Sequence, residues 1–303
     1  MILLKQMLIL LFFMALGYGM ARKRILDQNN CKFLSWLIVN VANPALILSG
    51  SIGNQIGQKE LTQIIVLAIV FYVALIGVSE LLVMLFRMEK KEAGMYKVML
   101  AFTNMGFMGF PILSAMYGST ALLYGAAFML LFNLLIYTYG IFRIAGTVGS
   151  WRDVLKKFLN IGVFAGILSL TIAFSGFEVP AAASQTITML SNLTAPLSMM
   201  VIGASFLDVE WKGVFRDARL LVFVFMRLLL IPVLGMLVLR QVVHDPLLLG
   251  VCFVTLATPS GSMAAMLARQ YDGDYITASK GIGLTTILSV ITMPLLFAVF
   301  HLQ

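Results

Sequence analysis

Thr103-Asn104-Met105-Gly106-Phe107-Met108-Gly109-Phe110-Pro111 and Ala257-Thr258-Pro259-Ser260-Gly261-Ser262 are two polar, proline-centred interruptions of otherwise apolar stretches, one in each half of the chain. Inside a bilayer, unwound backbone leaves amides and carbonyls without partners, and each costs several kcal/mol if it faces lipid. Such a break is tolerated only where protein buries it or a water-filled cavity lines it. Two breaks at corresponding places point to a transporter's binding site near the membrane midplane.

The surroundings require a membrane. Of 303 residues, 61% are hydrophobic and 11% charged, with a mean hydropathy of +0.99. A soluble domain carries about 25% charged residues. The net charge of +8 sits in short loops between apolar stretches, which indicates membrane orientation and anionic lipid, not nucleic acid. Cys31 and Cys252 lie far apart, with no CxxC and no histidine cluster, so neither a disulfide nor a metal site is expected. No cofactor is expected either. The stretch Met1–Met20 runs into Arg22-Lys23-Arg24; a secretory signal has the reverse charge order, so a retained first span is expected.

With roughly 20 apolar residues per span, ten spans are predicted, at about 3–21, 31–51, 61–87, 94–116, 119–142, 155–176, 181–207, 218–240, 246–269 and 274–300. The fourth and ninth are the interrupted ones. Loops after odd-numbered spans hold 16 of the 21 basic residues: Arg22, Lys23, Arg24, Lys32, Arg87, Lys90, Lys91, Lys97, Arg143, Arg152, Lys156, Lys157, Lys212, Arg216, Arg219 and Arg269. By the positive-inside rule these loops are cytoplasmic, and both termini are extracytoplasmic.

The halves also repeat. Asn40 with Pro44 and Asn192 with Pro196 share an offset of 152, Pro111 and Pro259 are 148 apart, and Tyr117 and Tyr271 are 154 apart. These offsets predict an all-α membrane protein of two five-helix units, residues 1–150 and 151–303, the second inserted upside down.

Four segments carry a family resemblance: NVANPALILSG from Asn40, AFTNMGFMGFPIL from Ala101, NLTAPLSMMVIGASF from Asn192 and ATPSGSMAAMLARQYDGD from Ala257. Their arrangement resembles the auxin efflux carrier family in its compact bacterial form, that of the malate or malonate permeases. The resemblance implies a scaffold of spans 1, 2, 6 and 7, a transport domain of spans 3–5 and 8–10 in which the fourth and ninth cross, elevator-type alternating access for small organic anions, and a homodimer formed through the scaffold.

The residues suit such a cargo. Pro111 withholds an amide, Gly106 and Gly109 let backbone approach a ligand, and Thr103, Asn104 and Phe107 flank them. An unwound segment also creates a half-helix N-terminus whose free amides favour a carboxylate. Thr258, Pro259, Ser260, Gly261 and Ser262 supply the same device from the ninth span. Asn40 and Asn192 either satisfy carbonyls freed by the following proline or contact substrate. Glu80 either carries a coupling proton or pairs with a basic residue near the interface. Arg227 either attracts an anion or anchors the scaffold, the second being preferred. Lys280 reads as structural, and Asn133, Tyr137 and Tyr139 are candidates to line a pocket. No phosphate-cradling GxxxxGK[ST], HExxH or GxSxG occurs, which argues against ATP-driven transport by this chain and against an enzyme. The nearest alternatives are a sodium-coupled bile-acid-type symporter and a cation/proton antiporter, though the latter normally shows acidic residues beside its broken helices. A channel would leave the repeat unexplained.

Overall fold

Proline and glycine placement divides the chain into helices. A computed structural model describes residues 2–88, 90–146, 151–209, 211 and 213–301; Lys212, counted above, and the segment 147–150 at the expected repeat boundary lie outside the described residues. Thirteen helical segments follow in order: α1 (Ile2–Arg22), α2 (Gln28–Ser49), α3 (Gln58–Leu85), α4 (Lys90–Ala101), α5 (Met105–Tyr117), α6 (Thr120–Ala145), α7 (Trp151–Phe158), α8 (Ile161–Ser175), α9 (Ala181–Ser205), α10 (Ala218–Val242), α11 (Pro246–Ala257), α12 (Ser262–Gln270) and α13 (Tyr275–Val299). Seven of them, α1, α2, α3, α6, α9, α10 and α13, are long and apolar enough to cross a membrane alone. The shorter apolar segments are α5, α8 and α11. They stand where the fourth, sixth and ninth spans were predicted, so the protein is an all-helical, multi-pass membrane protein. Large apolar side chains on its outer surface, such as Phe12, Phe164, Met189 and Ile291, fit lipid as the surrounding solvent.

The sixth predicted span, 155–176, requires correction. The chain turns at Leu159-Asn160, and Asn160 Oδ1 accepts from the Val163 amide (3.1 Å), capping α8. An asparagine at this position satisfies a helix-start amide, so the membrane-crossing stretch begins only at Ile161. Aspartates do the same elsewhere: Asp27, Asp217, Asp245 and Asp274 each accept from an amide in the first turn of α2, α10, α11 and α13.

Of the five prolines inside segments, Pro44, Pro111, Pro196, Pro232 and Pro294, three are preceded by a wide turn. Wide turns over Ile38–Ala42, Met105–Gly109 and Met226–Leu230 each stop two residues before Pro44, Pro111 and Pro232. A proline cannot donate to the carbonyl four residues back, and a wide turn re-registers the ladder at that point.

Two packing groups position the breaks. In one, α1 lies along α9, and the second half of α2 packs on α8 and α9. The α1–α9 approach is at backbone distance: a Cβ on Gly17 would lie 2.1 Å from the Met200 carbonyl oxygen, and one on Gly203 only 1.9 Å from that of Met14. Small residues at such crossings let membrane helices gain dispersion contact. In the other group, α3 packs on α4 and α6, α10 on α11 and α13, and α13 on α4 and α12. The groups also touch each other extensively: α8 packs on α6, α1 meets α5 and α13, and the wide turn opening α5 faces α9.

Candidate functional site

The two breaks meet. Thr103 and Ser260 form an antiparallel bridge, with the Asn104 amide donating to the Pro259 carbonyl (2.8 Å) and the Gly261 amide to the Phe102 carbonyl (2.9 Å). Ser260 Oγ donates to the Met99 carbonyl (2.8 Å). The Asn104 carbonyl, just past the break, accepts from the amides of Met108 and Gly109, both at 3.0 Å. Four stubs of helix thus point at one place: the C-termini of α4 and α11 and the N-termini of α5 and α12. Gly261 is required sterically, since a Cβ there would lie 2.7 Å from the Thr103 carbonyl oxygen.

Neither N-terminus at the crossing is capped by a side chain. That contrasts with the four aspartate-capped starts and leaves first-turn amides of α5 and α12 open to an acceptor. Asn104 is 3% exposed and its Nδ2 has no partner, and the hydroxyl of buried Thr103 has none either. Arg227, in the wide turn of α10, is fully buried. Its Nη2 donates to the Thr258 carbonyl (2.6 Å), while Nε and Nη1 remain unpartnered.

A cavity of about 1060 Å³ leads to this place. Its lining includes exposed Lys32 and Arg269 together with Asp27, so it opens at the end bearing the basic loops. Trp36, Ile202, Phe206 and Ile282 form apolar walls, and Phe107 and Ser262 bring it to both breaks. A mostly apolar concavity ending in a few polar groups is the usual form of a small-ligand site.

The structure gathers most of the residues singled out from sequence. Thr103, Asn104, Gly109, Pro111, Thr258, Pro259, Ser260 and Gly261 are buried at or beside the crossing, Gly106 is half-buried there, and Phe107, Ser262 and Asn40 line the cavity. Asn40 Nδ2 also donates to the Trp36 carbonyl (2.8 Å). Asn192 is exposed and does not line the cavity, unlike its counterpart. Asn133 is committed to structure: its Nδ2 donates to the Met129 carbonyl (2.8 Å) and its Oδ1 accepts from Asn160 Nδ2 (3.1 Å). Tyr137 is half-buried and also outside the cavity lining. Glu80 is held by Lys97 (2.6 Å), by Arg143 and by the Tyr139 hydroxyl (2.6 Å), joining α3, α4 and α6. That is the paired arrangement, and it stands apart from the crossing.

Other residues went unnoticed in the sequence. Ser198 Oγ donates to the Phe107 carbonyl (2.9 Å), and Asn43 stands beside Gly106 with its Oδ1 unpartnered. The position of Ser198 four residues after Thr194 marks a polar face on α9 that periodicity offered. Arg227 reaches the crossing by its bond to the Thr258 carbonyl, which ties α10 to the end of α11; nothing in its local sequence signals that reach.

Crossed, interrupted helices inside a multi-pass helical protein, reached by a deep cavity, define a membrane transporter. A family model described as Membrane transport protein matches residues 2–151 and 150–297. The chain belongs to that family, the family of the auxin efflux carriers. It is 25% identical over 303 aligned residues to an uncharacterized transporter of Methanocaldococcus jannaschii, covering 95% of this chain and 96% of the relative. It is likewise 25% identical to an uncharacterized transporter of Methanothermobacter thermautotrophicus, covering 96% of each. The uncharacterized transporter YfdV of Escherichia coli is 21% identical, covering 96% of this chain and 95% of the relative.

Proposed function

We propose that the protein is a secondary transporter of a small organic anion, with a carboxylate bound at the crossing of the two breaks. One observation carries this reading: the carbonyls of Met99, Phe102, Asn104, Thr258 and Pro259 accept from protein donors, while the unpartnered side-chain atoms there are mainly donors. Two uncapped helix N-termini, Asn104 Nδ2 and two nitrogens of Arg227 wait for an acceptor. A carboxylate supplies two acceptor oxygens and the negative charge that helix N-termini favour.

The proposed architecture is ten spans in two inverted five-helix units, 1–150 and 151–303. The α1, α2, α8 and α9 group is the scaffold, and α3–α6 with α10–α13 are the moving body. The packing of α1 on α9 and of α2 on α8 and α9 supports it, with α8 on α6 and α5 on α9 as contacts between the two groups. Sliding one group past the other would carry the crossing between the two faces of the cell membrane, an elevator-type exchange. With basic loops inside, the termini are extracytoplasmic and the cavity opens to the cytoplasm. The scaffold's exposed apolar surface is the proposed homodimer face.

The test is thermal stability of purified protein with dicarboxylates, monocarboxylates and indole acids, each with and without sodium. Stabilisation by at least one anion is expected, and a flat response across the panel overturns the reading.

A further inference from the structure

The C-terminus of a half-helix inside a membrane carries partial negative charge and freed carbonyls, and transporters commonly fill that place with a coupling cation. Here several of those carbonyls are engaged by the protein itself. The helix α11 ends at Ala257, and the next carbonyl, that of Thr258, receives the Arg227 guanidinium at 2.6 Å. The carbonyls of Met99, Phe102, Asn104 and Pro259 accept from main-chain amides or from Ser260 Oγ. No group of three or more acidic, histidine or cysteine side chains that would hold a metal occurs among the described residues.

We propose that Arg227 is the resident cation of the crossing: it occupies the carbonyl end of α11, so that an anion is held there without a bound metal ion. The proposal rests on the anion reading above and identifies what balances the cargo's charge. Arginine has five donors, and Arg227 uses one on Thr258 while Nε and Nη1 stay unpartnered. Among the described residues no carboxylate pairs with it. A buried charge is costly without a counter-charge, and the missing counter-charge is negative. A small metal cation would bring no such donors and would leave the same carbonyls to be shared.

The test compares wild type with Arg227→Ala, Arg227→Gln and Arg227→Lys, purified, by saturable binding of radioactive sodium and by Tm in sodium chloride against choline chloride. Wild type and Arg227→Lys are expected to bind no sodium and to melt alike in both salts. The two neutral variants are expected to melt lower in choline and to recover part of the loss in sodium, which enters the vacated carbonyl end. For the best-stabilising anion of the panel, Arg227→Gln is expected to lose at least about tenfold in affinity, with partial recovery in Arg227→Lys. Saturable sodium binding by wild type overturns the proposal, as do neutral variants that ignore sodium and keep wild-type anion affinity. If neither neutral variant folds, sodium stabilisation of wild type or Arg227→Lys overturns it and its absence supports it. Because the sodium measurements require no anion, their outcome is separable from the Asn104 test of the anion reading.

Discussion

At the residue scale, Asn104 is the most informative position. Its main-chain amide stitches the two breaks together, its carbonyl starts α5, and its side-chain Nδ2 is buried without a partner. Substitution by alanine keeps both main-chain roles and removes only the spare donor. Asn104→Ala is therefore expected to retain its fold and to lose roughly 10- to 100-fold in anion affinity, the worth of a hydrogen bond to a charged group. Titration of purified protein checks this, and unaltered affinity removes Asn104 from the site. Gly261 tests the stitching itself. Its φ of −72° is open to any residue, but a methyl group would collide with the Thr103 carbonyl. Gly261→Ala is expected to cost about 1–3 kcal/mol through forced backbone displacement, seen as a lower Tm. Wild-type stability would show that the crossing yields more easily than its packing implies.

At the element scale, the question is which helices move together. Glu80 binds Lys97 and Arg143, fastening α3 to α4 and α6. The Glu80 side chain is 29% exposed, so the network is worth about 1 kcal/mol at most, not the large energy of a sealed ion pair. Glu80→Gln is expected to lower Tm modestly and to leave the pH profile of uptake unchanged. Loss of pH dependence would instead return Glu80 to a proton-coupling role. The α1–α9 contact is held differently, by Gly17 and Gly203 at backbone distance. A large side chain at either position separates the two helices, and Gly203→Leu is expected to abolish the folded protein, read as loss of a monodisperse peak in size-exclusion chromatography.

For the whole molecule, the cavity and the charge distribution make one joint prediction. Ser262 lines the inner end of a cavity whose mouth carries Lys32 and Arg269. With Cys31 and Cys252 replaced by serine, Ser262→Cys is expected to react with a membrane-impermeant thiol reagent in inside-out vesicles and to be shielded in right-side-out ones. The bound anion is expected to slow the reaction. Equal labelling from both sides would contradict the proposed orientation. The comparison of the halves also belongs to this scale. Offsets of 148 to 154 residues paired the landmarks, and the breaks do meet, but Asn40 lines the cavity while Asn192 is exposed. Both halves line the cavity, yet a repeat in sequence does not make Asn40 and Asn192 equivalent in exposure to it.

Residue order alone was enough to place this chain in a membrane, to locate its helix ends to within a few residues, and to show that two helices are broken. Those features depend on local chemistry: apolar length, proline's missing amide, aspartate and asparagine at helix starts. The division of the predicted sixth span at Asn160 escaped because a polar cap inside an apolar run reads as a minor interruption. Which polar groups share the crossing was settled by three-dimensional packing. Arg227 meets Thr258 across 31 residues of sequence, and Ser198 meets Phe107 across 91. Such pairings depend on helix rotation and depth, which are set by packing between segments and leave no trace in the spacing within either one.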